Sequence, residues 1–188
     1  ISHWSFTEQG NVPVALFREN DGVVENLAIC ALELTGGGDS TGGIAGQLYG
    51  SVINSIVSGT VSGGANVGLV VGFNEGLITD CHSAGTVFGG SGAGGLVGYH
   101  YIGAISRCSS SADVSSDSFP TGGLIGGISD GVVDRCYATG SVDGPLYVGG
   151  LTGTVGSAIS NSYATGSVTG SVAGGLAGLG GIDPGTIT

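Results

Sequence analysis

The sequence predicts an all-β protein folded as a single parallel β-solenoid of about seven coils. Three observations carry this prediction. A glycine-framed pentapeptide recurs every 25 to 28 residues, a second phrase with two-residue alternation follows it, and glycine contributes 42 of 188 residues. Glycine costs about 1 kcal/mol per helical position relative to alanine, so this composition disfavours helix. A fixed period of this length is typical of stacked repeats.

The glycine frame is the first repeated element. It begins at residues 42, 68, 94, 122, 149 and 174 and reads GGIAG, GLVVG, GGLVG, GGLIG, GGLTG and GGLAG. The period is shorter than a propeller blade, and no hairpin dipeptide recurs in register. We therefore expect one frame per coil, with a rise of about 4.8 Å per coil. Its glycines would permit tight corners and close contact between coils.

The second phrase has the alternation of a half-buried strand. It reads SVINSIVSGTV, LITDCHSAGTV, AISRCSSSADV, VVDRCYATGSV and AISNSYATGSV in five successive coils. In the fourth copy, Cys136, Ala138 and Val142 would face inward, and Tyr137 and Thr139 outward. Stacking predicts two inward apolar columns: Val24, Val52, Ile78, Ile105, Val133 and Ile159 in one, and Val61, Val87, Val114, Val142 and Val168 in the other.

The domain organisation follows from the quality of the repeats. Residues 1–188 form a single β-solenoid domain, in which residues 1–41 are degenerate first coils, 42–178 are regular repeats and 179–188 are an open C-terminal end. VVENLAICALEL from Val23 is a degenerate second phrase, and VPVALF from Val12 is a degenerate frame. ISHWSFTEQG at the start alternates apolar and polar residues and is itself a candidate strand.

The frame, followed by Gly-x-Ile and then NSYATGxV, resembles the GLUG repeat, named for Gly-Leu-x-Gly. The resemblance covers roughly residues 42–178, and it departs from the pattern in GLVVG at residue 68 and in the first forty residues. It implies a secreted or cell-surface solenoid of the kind found in bacteria and archaea, where many such proteins are adhesin-like. It brings no catalytic residues.

Composition excludes several classes of function. There is no lysine, arginine occurs only at Arg18, Arg107 and Arg135, and the formal net charge is −11, so we expect no nucleic-acid partner. No stretch of 18 apolar residues lacks glycine breaks, so we expect no membrane insertion. The sequence also lacks a recognisable leader and begins with Ile1. We expect an extracellular or cell-surface protein whose leader has been removed.

Catalysis is not expected either. His3, His82 and His100 occupy different motif positions, and Asp80 has no acidic partner in the neighbouring coil's equivalent slot. We predict that the protein is not an enzyme and has no catalytic, cofactor-binding or metal-binding residues. Calcium binding is an alternative, with ligands from the loop acids Asp39, Asp117, Asp130 and Asp143. The sequence contains no dedicated calcium-binding motif, so we predict no dedicated site.

Cys81, Cys108 and Cys136 occupy one motif slot in three successive coils, with Ser55 and Ser162 on either side. We expect small buried thiols that fill the core. One intrachain disulfide is an alternative, and a zinc site lacks a fourth ligand. The facing of Cys30 is left open by the degenerate coil. If it points outward, it allows a cross-link between subunits.

The outward positions suggest further ladders. Asp80 can pair with Arg107 along one column. Ser58, Thr60, Thr86 and the Thr and Ser residues of the ATGSV phrases would form a hydroxyl lattice that Asp113 interrupts. This lattice is either an ordinary solvated face or, by analogy, an ice-binding face.

The ends suggest the function. The last coil lacks a cap and the first could complete it, so we expect head-to-tail stacking with copies of the same chain into a sheath, layer or filament. An equal alternative is that the chain is a fragment of a longer repeat protein, in which neighbouring repeats would cover these ends. The alternative function is an adhesin stalk or a module that binds surface glycans through Tyr137 and Tyr163.

Overall fold

A computed structural model describes residues 1–180, and every regular element in that range is a β-strand. The strands are β1 (Ser5–Glu8), β2 (Phe17–Asn20), β3 (Val23–Glu25), β4 (Ala28–Gly36), β5 (Thr41–Gly42), β6 (Ala45–Leu48), β7 (Ser51–Ile53), β8 (Ile56–Gly68), β9 (Val71–Asn74), β10 (Leu77–Thr79), β11 (His82–Gly94), β12 (Val97–His100), β13 (Ala104–Ser106), β14 (Ser109–Ser110), β15 (Asp113–Ser116), β16 (Thr121–Gly122), β17 (Ile125–Ile128), β18 (Val132–Asp134), β19 (Tyr137–Ala138), β20 (Val142–Asp143), β21 (Val148–Gly149), β22 (Thr152–Val155), β23 (Ile159–Ser160), β24 (Tyr163–Ala164), β25 (Val168–Thr169), β26 (Ala173–Gly174) and β27 (Ala177–Gly180). No helix within these residues is long and apolar enough to cross a membrane.

The strands form three parallel sheets, and each coil visits all three in turn. The six-stranded sheet runs β3-β7-β10-β13-β18-β23, and the seven-stranded sheet runs β2-β6-β9-β12-β17-β22-β27. The fourteen-stranded sheet contains the second phrases, from β1 and β4 through β8 and β11 to β24, β25 and β26. The prediction of a parallel β-solenoid of about seven coils with a period near 26 residues is confirmed, and the observed period is about 27 residues.

Both predicted apolar columns are confirmed in register. Val24 pairs with Val52, and the column continues through Ile78, Ile105 and Val133 to Ile159. The second column runs from Val61 to Val168 in the same way. All inner members are buried, and only Val24 and Val168 near the two ends are half-buried. Each buried Val or Ile contributes about 1.5–3 kcal/mol, so these columns hold the coils together.

The glycine frame is required for close packing. A Cβ at the first glycine of a frame, as at Gly42, would overlap the carbonyl oxygen of Ala45 three residues on. A Cβ at the second glycine, as at Gly123, would overlap the carbonyl of Gly150 in the next coil. The expected close contact between coils is therefore present. The first position is glycine in all six frames, whereas the second position also accepts Leu69 in the GLVVG frame.

The corner between the six-stranded and fourteen-stranded sheets uses a left-handed residue in every coil. The positions are Asn26, Asn54, Asp80, Arg107, Arg135 and Asn161, with φ between 45° and 56°. Asparagine adopts this conformation more readily than most residues, which explains its presence in three of the six corners. The corner turns the next residue toward the core; this residue is Leu27 after the first corner and serine or cysteine after the other five.

The degenerate first coils keep the architecture with local irregularities. β1 pairs with β4, and β2 pairs with β6, so ISHWSFTEQG supplies a strand and VPVALF leads into one, as predicted. The register between β4 and β8 shifts between Ile29 and Leu32, and Ala31 has φ 54°. Residues 181–188, which hold most of the predicted open C-terminal end, lie outside the described residues.

Candidate functional site

The two ends of the solenoid are the best candidates for function, because within residues 1–180 each has one edge of all three sheets without a partner strand. At the N-terminal end the edge strands are β1, β2 and β3, each paired on one side only within residues 1–180. Phe6 and Phe17 are 43% and 42% exposed there. Trp4 stacks on Phe6 with ring centroids 6.5 Å apart. Large aromatic side chains exposed at a sheet edge are typical of contact surfaces.

Phe6 and Phe17 each begin an inward column. Phe6 pairs in register with buried Leu34, which pairs with Val61 at the start of the valine column. Phe17 pairs with buried Ala45, whose column ends at Ala177. The two rings therefore point along the direction in which every later coil buries its apolar side chains.

The C-terminal end carries the opposite ends of the same columns. Its edge strands among the described residues are β23, β24, β25, β26 and β27. Val168 and Ala177 are half-buried, and Leu179 is 42% exposed. One end thus presents large side chains and the other presents small ones in matching columns.

Charge does not oppose contact between these ends. Residues 158–180 contain no Asp, Glu, Lys or Arg. The N-terminal residues 1–25 carry four acids and Arg18. Asp183 is the one charged side chain in residues 158–188. In a chain of net charge −11, an end with so few charges adds little like-charge repulsion against an acidic one.

The cysteine slot has a hydrogen-bonding role that sequence reasoning missed. Cys81, Cys108 and Cys136 are buried, as predicted, and all four cysteines are free thiols, so the alternative of an intrachain disulfide is wrong. Each buried thiol donates to the carbonyl two residues before it, at 3.2–3.3 Å. The backbone N–H groups of Cys81 and Cys108 donate to the sulfur one coil further on, at 3.4 Å.

Serine fills the same role at both ends of this column. Ser55 and Ser162 donate to the carbonyls of Ile53 and Ser160, and they accept the N–H groups of Leu27 and Cys136. Hydrogen bonds to Cys136 and Cys81, together with burial, raise the pKa of the Cys108 thiol. The slot therefore selects a small side chain that can both donate and accept, and the thiols are structural.

Cys30 is exposed, so its side chain points outward, a direction that the sequence had left open. The irregular register beside it turns the residue outward, and its backbone N–H donates to the carbonyl of Ile1. It lies in the coil next to the N-terminal edge strand, so it is the one cysteine within reach of a neighbouring molecule.

The predicted Asp80–Arg107 pair is confirmed as a bidentate contact. Arg107 Nε and Nη2 donate to the two carboxylate oxygens of Asp80 at 2.7 and 2.8 Å. These hydrogen bonds lower the pKa of Asp80. Asn161, Arg135 and Ser160 lower the pKa of Asp134 to about 2 in the same way. Both carboxylates are partly accessible to solvent, so these contacts add little to stability.

The outer face of the fourteen-stranded sheet is exposed but chemically mixed. Thr60, Thr86, Asp113, Ser141 and Ser167 form one in-register outward column through β8, β11, β15 and the two later coils. Ser141 donates to Asp113 at 2.6 Å, which lowers the pKa of that carboxyl. Asp113 interrupts the hydroxyl column, so the ice-binding alternative gains no support.

Tyr137 and Tyr163 point outward, as predicted, and stack with ring centroids 5.2 Å apart and planes 4° apart. Each therefore covers one face of the other. The three histidines lie apart: His82 on the outer sheet face, His3 near the N-terminal edge and His100 in the core. Within residues 1–180, no group of three or more His, Cys, Asp or Glu is arranged to hold a metal ion.

Comparison with known proteins supports the repeat assignment. The family model of the GLUG motif matches residues 89–115 and 144–169. Each match begins five residues before a frame and extends through the following second phrase, so the chain contains GLUG motifs, as the sequence indicated. No curated protein and no solved structure matched the chain. Together the fold and the motif define a repeat-type structural protein.

Proposed function

We propose that this protein assembles with copies of itself by head-to-tail stacking of the solenoid ends, and that it serves as a building block of an extracellular or cell-surface filament, sheath or layer. The observation that carries the proposal is the match between Phe6 and Phe17 at one end and Val168 and Ala177 at the other. A second copy placed one coil further on would continue both columns.

Backbone pairing supports the same arrangement. Glu33 donates its N–H to the carbonyl of Trp4, and Gly37 donates to that of Glu8, so the even-numbered residues of β1 face β4. In a parallel ladder the alternate residues, Ser5 and Thr7, then point their N–H and C=O groups to the free edge. An unpaired edge of this kind is a template for another strand.

The buried thiols suit an extracellular setting. Exposed thiols in an oxidising compartment tend to form disulfides. Cys81, Cys108 and Cys136 are at most 1% exposed and are held by hydrogen bonds to backbone carbonyls, so they are protected without being paired. Only Cys30 is available for oxidation.

The first test compares two phenylalanines of equal exposure. Phe6 is 43% exposed at the N-terminal end, and Phe88 is 42% exposed on the outer flank of β11. We expect wild type and Phe88→Asp to form long assemblies by sedimentation velocity and electron microscopy, and Phe6→Asp to stay monomeric. Wild-type monomers at high concentration, or assembly of Phe6→Asp, would overturn the proposal.

The second test concerns the backbone edge. Thr7→Pro removes an N–H that points away from β4, whereas Thr7→Val keeps it, so the two variants separate edge pairing from side-chain effects. Assembly should be lost in Thr7→Pro and retained in Thr7→Val. Repeating the comparison with Cys30→Ser, with and without reductant, separates stacking from cross-linking.

The glycan-binding alternative rests on the exposed tyrosines. Sugars bind aromatic side chains through the ring face, and the mutual stacking of Tyr137 and Tyr163 covers the inner face of each ring. This geometry favours a packing role for the pair. A chain that remains monomeric and binds glycans in a way that depends on Tyr163 would support the binding module instead.

A further inference from the structure

The apolar core contains one polar pair that neither the fold nor the assembly proposal explains. An inward column on the seven-stranded sheet runs Leu48, Asn74, His100, Ile128 and Val155. All of these side chains are buried, and Asn74 and His100 are 0% exposed. Two polar groups thus replace aliphatic side chains in the middle of the stack, where burying polar atoms is costly.

Two hydrogen bonds with the backbone of Gly76 fix the orientation of the Asn74 amide. Its Oδ1 accepts the N–H of Gly76 at 3.1 Å, and its Nδ2 donates to the carbonyl of Gly76 at 3.3 Å. The same Nδ2 lies 2.9 Å from Nδ1 of His100. Because Asn74 presents a donor, Nδ1 of His100 has to accept, and the ring proton of the neutral imidazole belongs on Nε2.

The other side of the ring has no room to adjust. Nε2 makes no hydrogen bond, and a Cβ on Gly131 would overlap it. Burial lowers the pKa of His100 to about 4, although the backbone at Asn74 and Val132 opposes the shift in part. The nearest titratable groups on the adjoining segments are at least partly solvent-accessible and do not offset the burial: Glu75, Tyr99, Tyr101 and Asp130.

We infer that the Asn74–His100 pair is an acid-sensitive latch between the middle coils, which holds β9, β12 and β17 together when His100 is neutral and releases them when it is protonated. A proton on Nδ1 would place two donors against each other in a site without water access. The ring then has to leave the core, and the contacts of its coil with those on either side open with it.

The pH range of the effect follows from the two states of the histidine. An unfolded histidine has a pKa near 6.5 and His100 in the fold has one of about 4, so the unfolded chain binds more protons between these values. The contribution of the latch is complete above pH 6.5, falls as the pH is lowered toward 4, and changes no further below that. The lowered pKa values of Asp80, Asp113 and Asp134 act at lower pH, since their ordinary value is 3.8.

The test measures urea unfolding between pH 7.5 and 4.5 at one low protein concentration. For wild type we expect the unfolding equilibrium constant to rise roughly 10²-fold over this range. His100→Leu, which restores the aliphatic residue found at position 48, should lose most of that pH dependence. His82→Asn removes an exposed histidine and should respond to acid as wild type does.

A second measurement keeps the inference testable if His100→Leu does not fold. Long-range proton–nitrogen NMR of the wild-type protein at pH 7 should show the Nε2-protonated tautomer of His100, and hydrogen exchange at pH 5 should accelerate first in β9, β12 and β17. Equal pH dependence in wild type and His100→Leu, or the Nδ1-protonated tautomer, would overturn the latch. These outcomes do not depend on whether the ends stack.

Discussion

The early and late coils of the solenoid have the same cross-section but different hydrogen bonding on the fourteen-stranded sheet. β8 and β11 are continuous strands of 13 residues each, paired over almost their whole length. The corresponding segments of the later coils break into short pieces, ending with the two-residue strands β24, β25 and β26. Side-chain columns persist through both regions, so apolar stacking does not require an unbroken ladder.

In the coil that follows β11, the strand of this sheet is divided. Gly59 and Gly85 pair directly, with φ of 144° and 129°, values that residues with a side chain rarely adopt. The equivalent residue in the next coil is Ala112, and there the strand divides into β14 and β15. Pro120 and Pro145, which cannot donate to the ladder, lie in the gaps before β16 and β21. The strands stay divided at Gly140 and Gly166 in the two later coils, so a glycine at this position is not sufficient for a continuous strand.

The largest expected effect is a difference in thiol reactivity along the stack. Cys81 lies beside the continuous strands, and Cys108 and Cys136 lie in the interrupted coils. We expect Cys30 to react at once with a thiol reagent and the buried thiols to react at least about 10³-fold more slowly, through local opening. Cys136 should react before Cys81. Mass-spectrometric mapping of the labelled sites checks the order, and equal rates for Cys81 and Cys136 would contradict the difference in stability.

The next effect concerns Gly85, which lies within the continuous strand β11. Gly85→Ala forces a side chain into a left-handed conformation and against the carbonyl of Gly59, so we expect a loss of about 3 kcal/mol in the free energy of unfolding. Gly175→Ala is the matched control, because a Cβ there meets nothing within 4 Å. Urea unfolding of both variants measures the difference. If Gly85→Ala lowers the free energy of unfolding no more than the control does, the continuous ladder does not depend on Gly85.

The smallest effect compares the middle of a column with its end. Val87 is fully buried, and Val87→Ala should cost about 2 kcal/mol of monomer stability. Val168 is half-buried in the last coil, and Val168→Ala should cost less than about 1 kcal/mol. Thermal unfolding of dilute protein gives both values. If the ends stack, Val168→Ala should also weaken assembly, which Val87→Ala should leave unchanged.

The repeats were sufficient to predict the solenoid, the two apolar columns, the buried cysteines and the Asp80–Arg107 contact, because each of these follows from aligning one coil on the next. The same alignment holds the signal for the buried pair. Asn74 and His100 occupy the seventh position counted from the start of the frame, where other coils have Leu48, Ile128 or Val155. The aligned repeats therefore show polar residues at a position that other coils fill with aliphatic ones.

Other features depend on backbone geometry that the repeats do not encode. The left-handed corner accepts Asn, Asp and Arg alike, so residue type does not reveal it. The outward turn of Cys30 results from an irregularity between Ile29 and Leu32. In the sequence, alternation indicated that Cys30 faces inward and alignment with a later coil indicated that it faces outward. The division of the strand at Ala112 is not visible in the sequence either, because Leu32 occupies the same position in the continuous strand β4.

The direction of the hydrogen bonds has a mechanical consequence. Strands lie across the solenoid axis and their hydrogen bonds run along it. Tension applied between the two ends therefore pulls parallel to these hydrogen bonds and breaks the contacts of one coil before those of the next. Each coil that detaches releases 26 to 28 residues, as between Val24, Val52 and Ile78, or about 90 Å of extended chain. The molecule would lengthen stepwise under load and dissipate energy at each step.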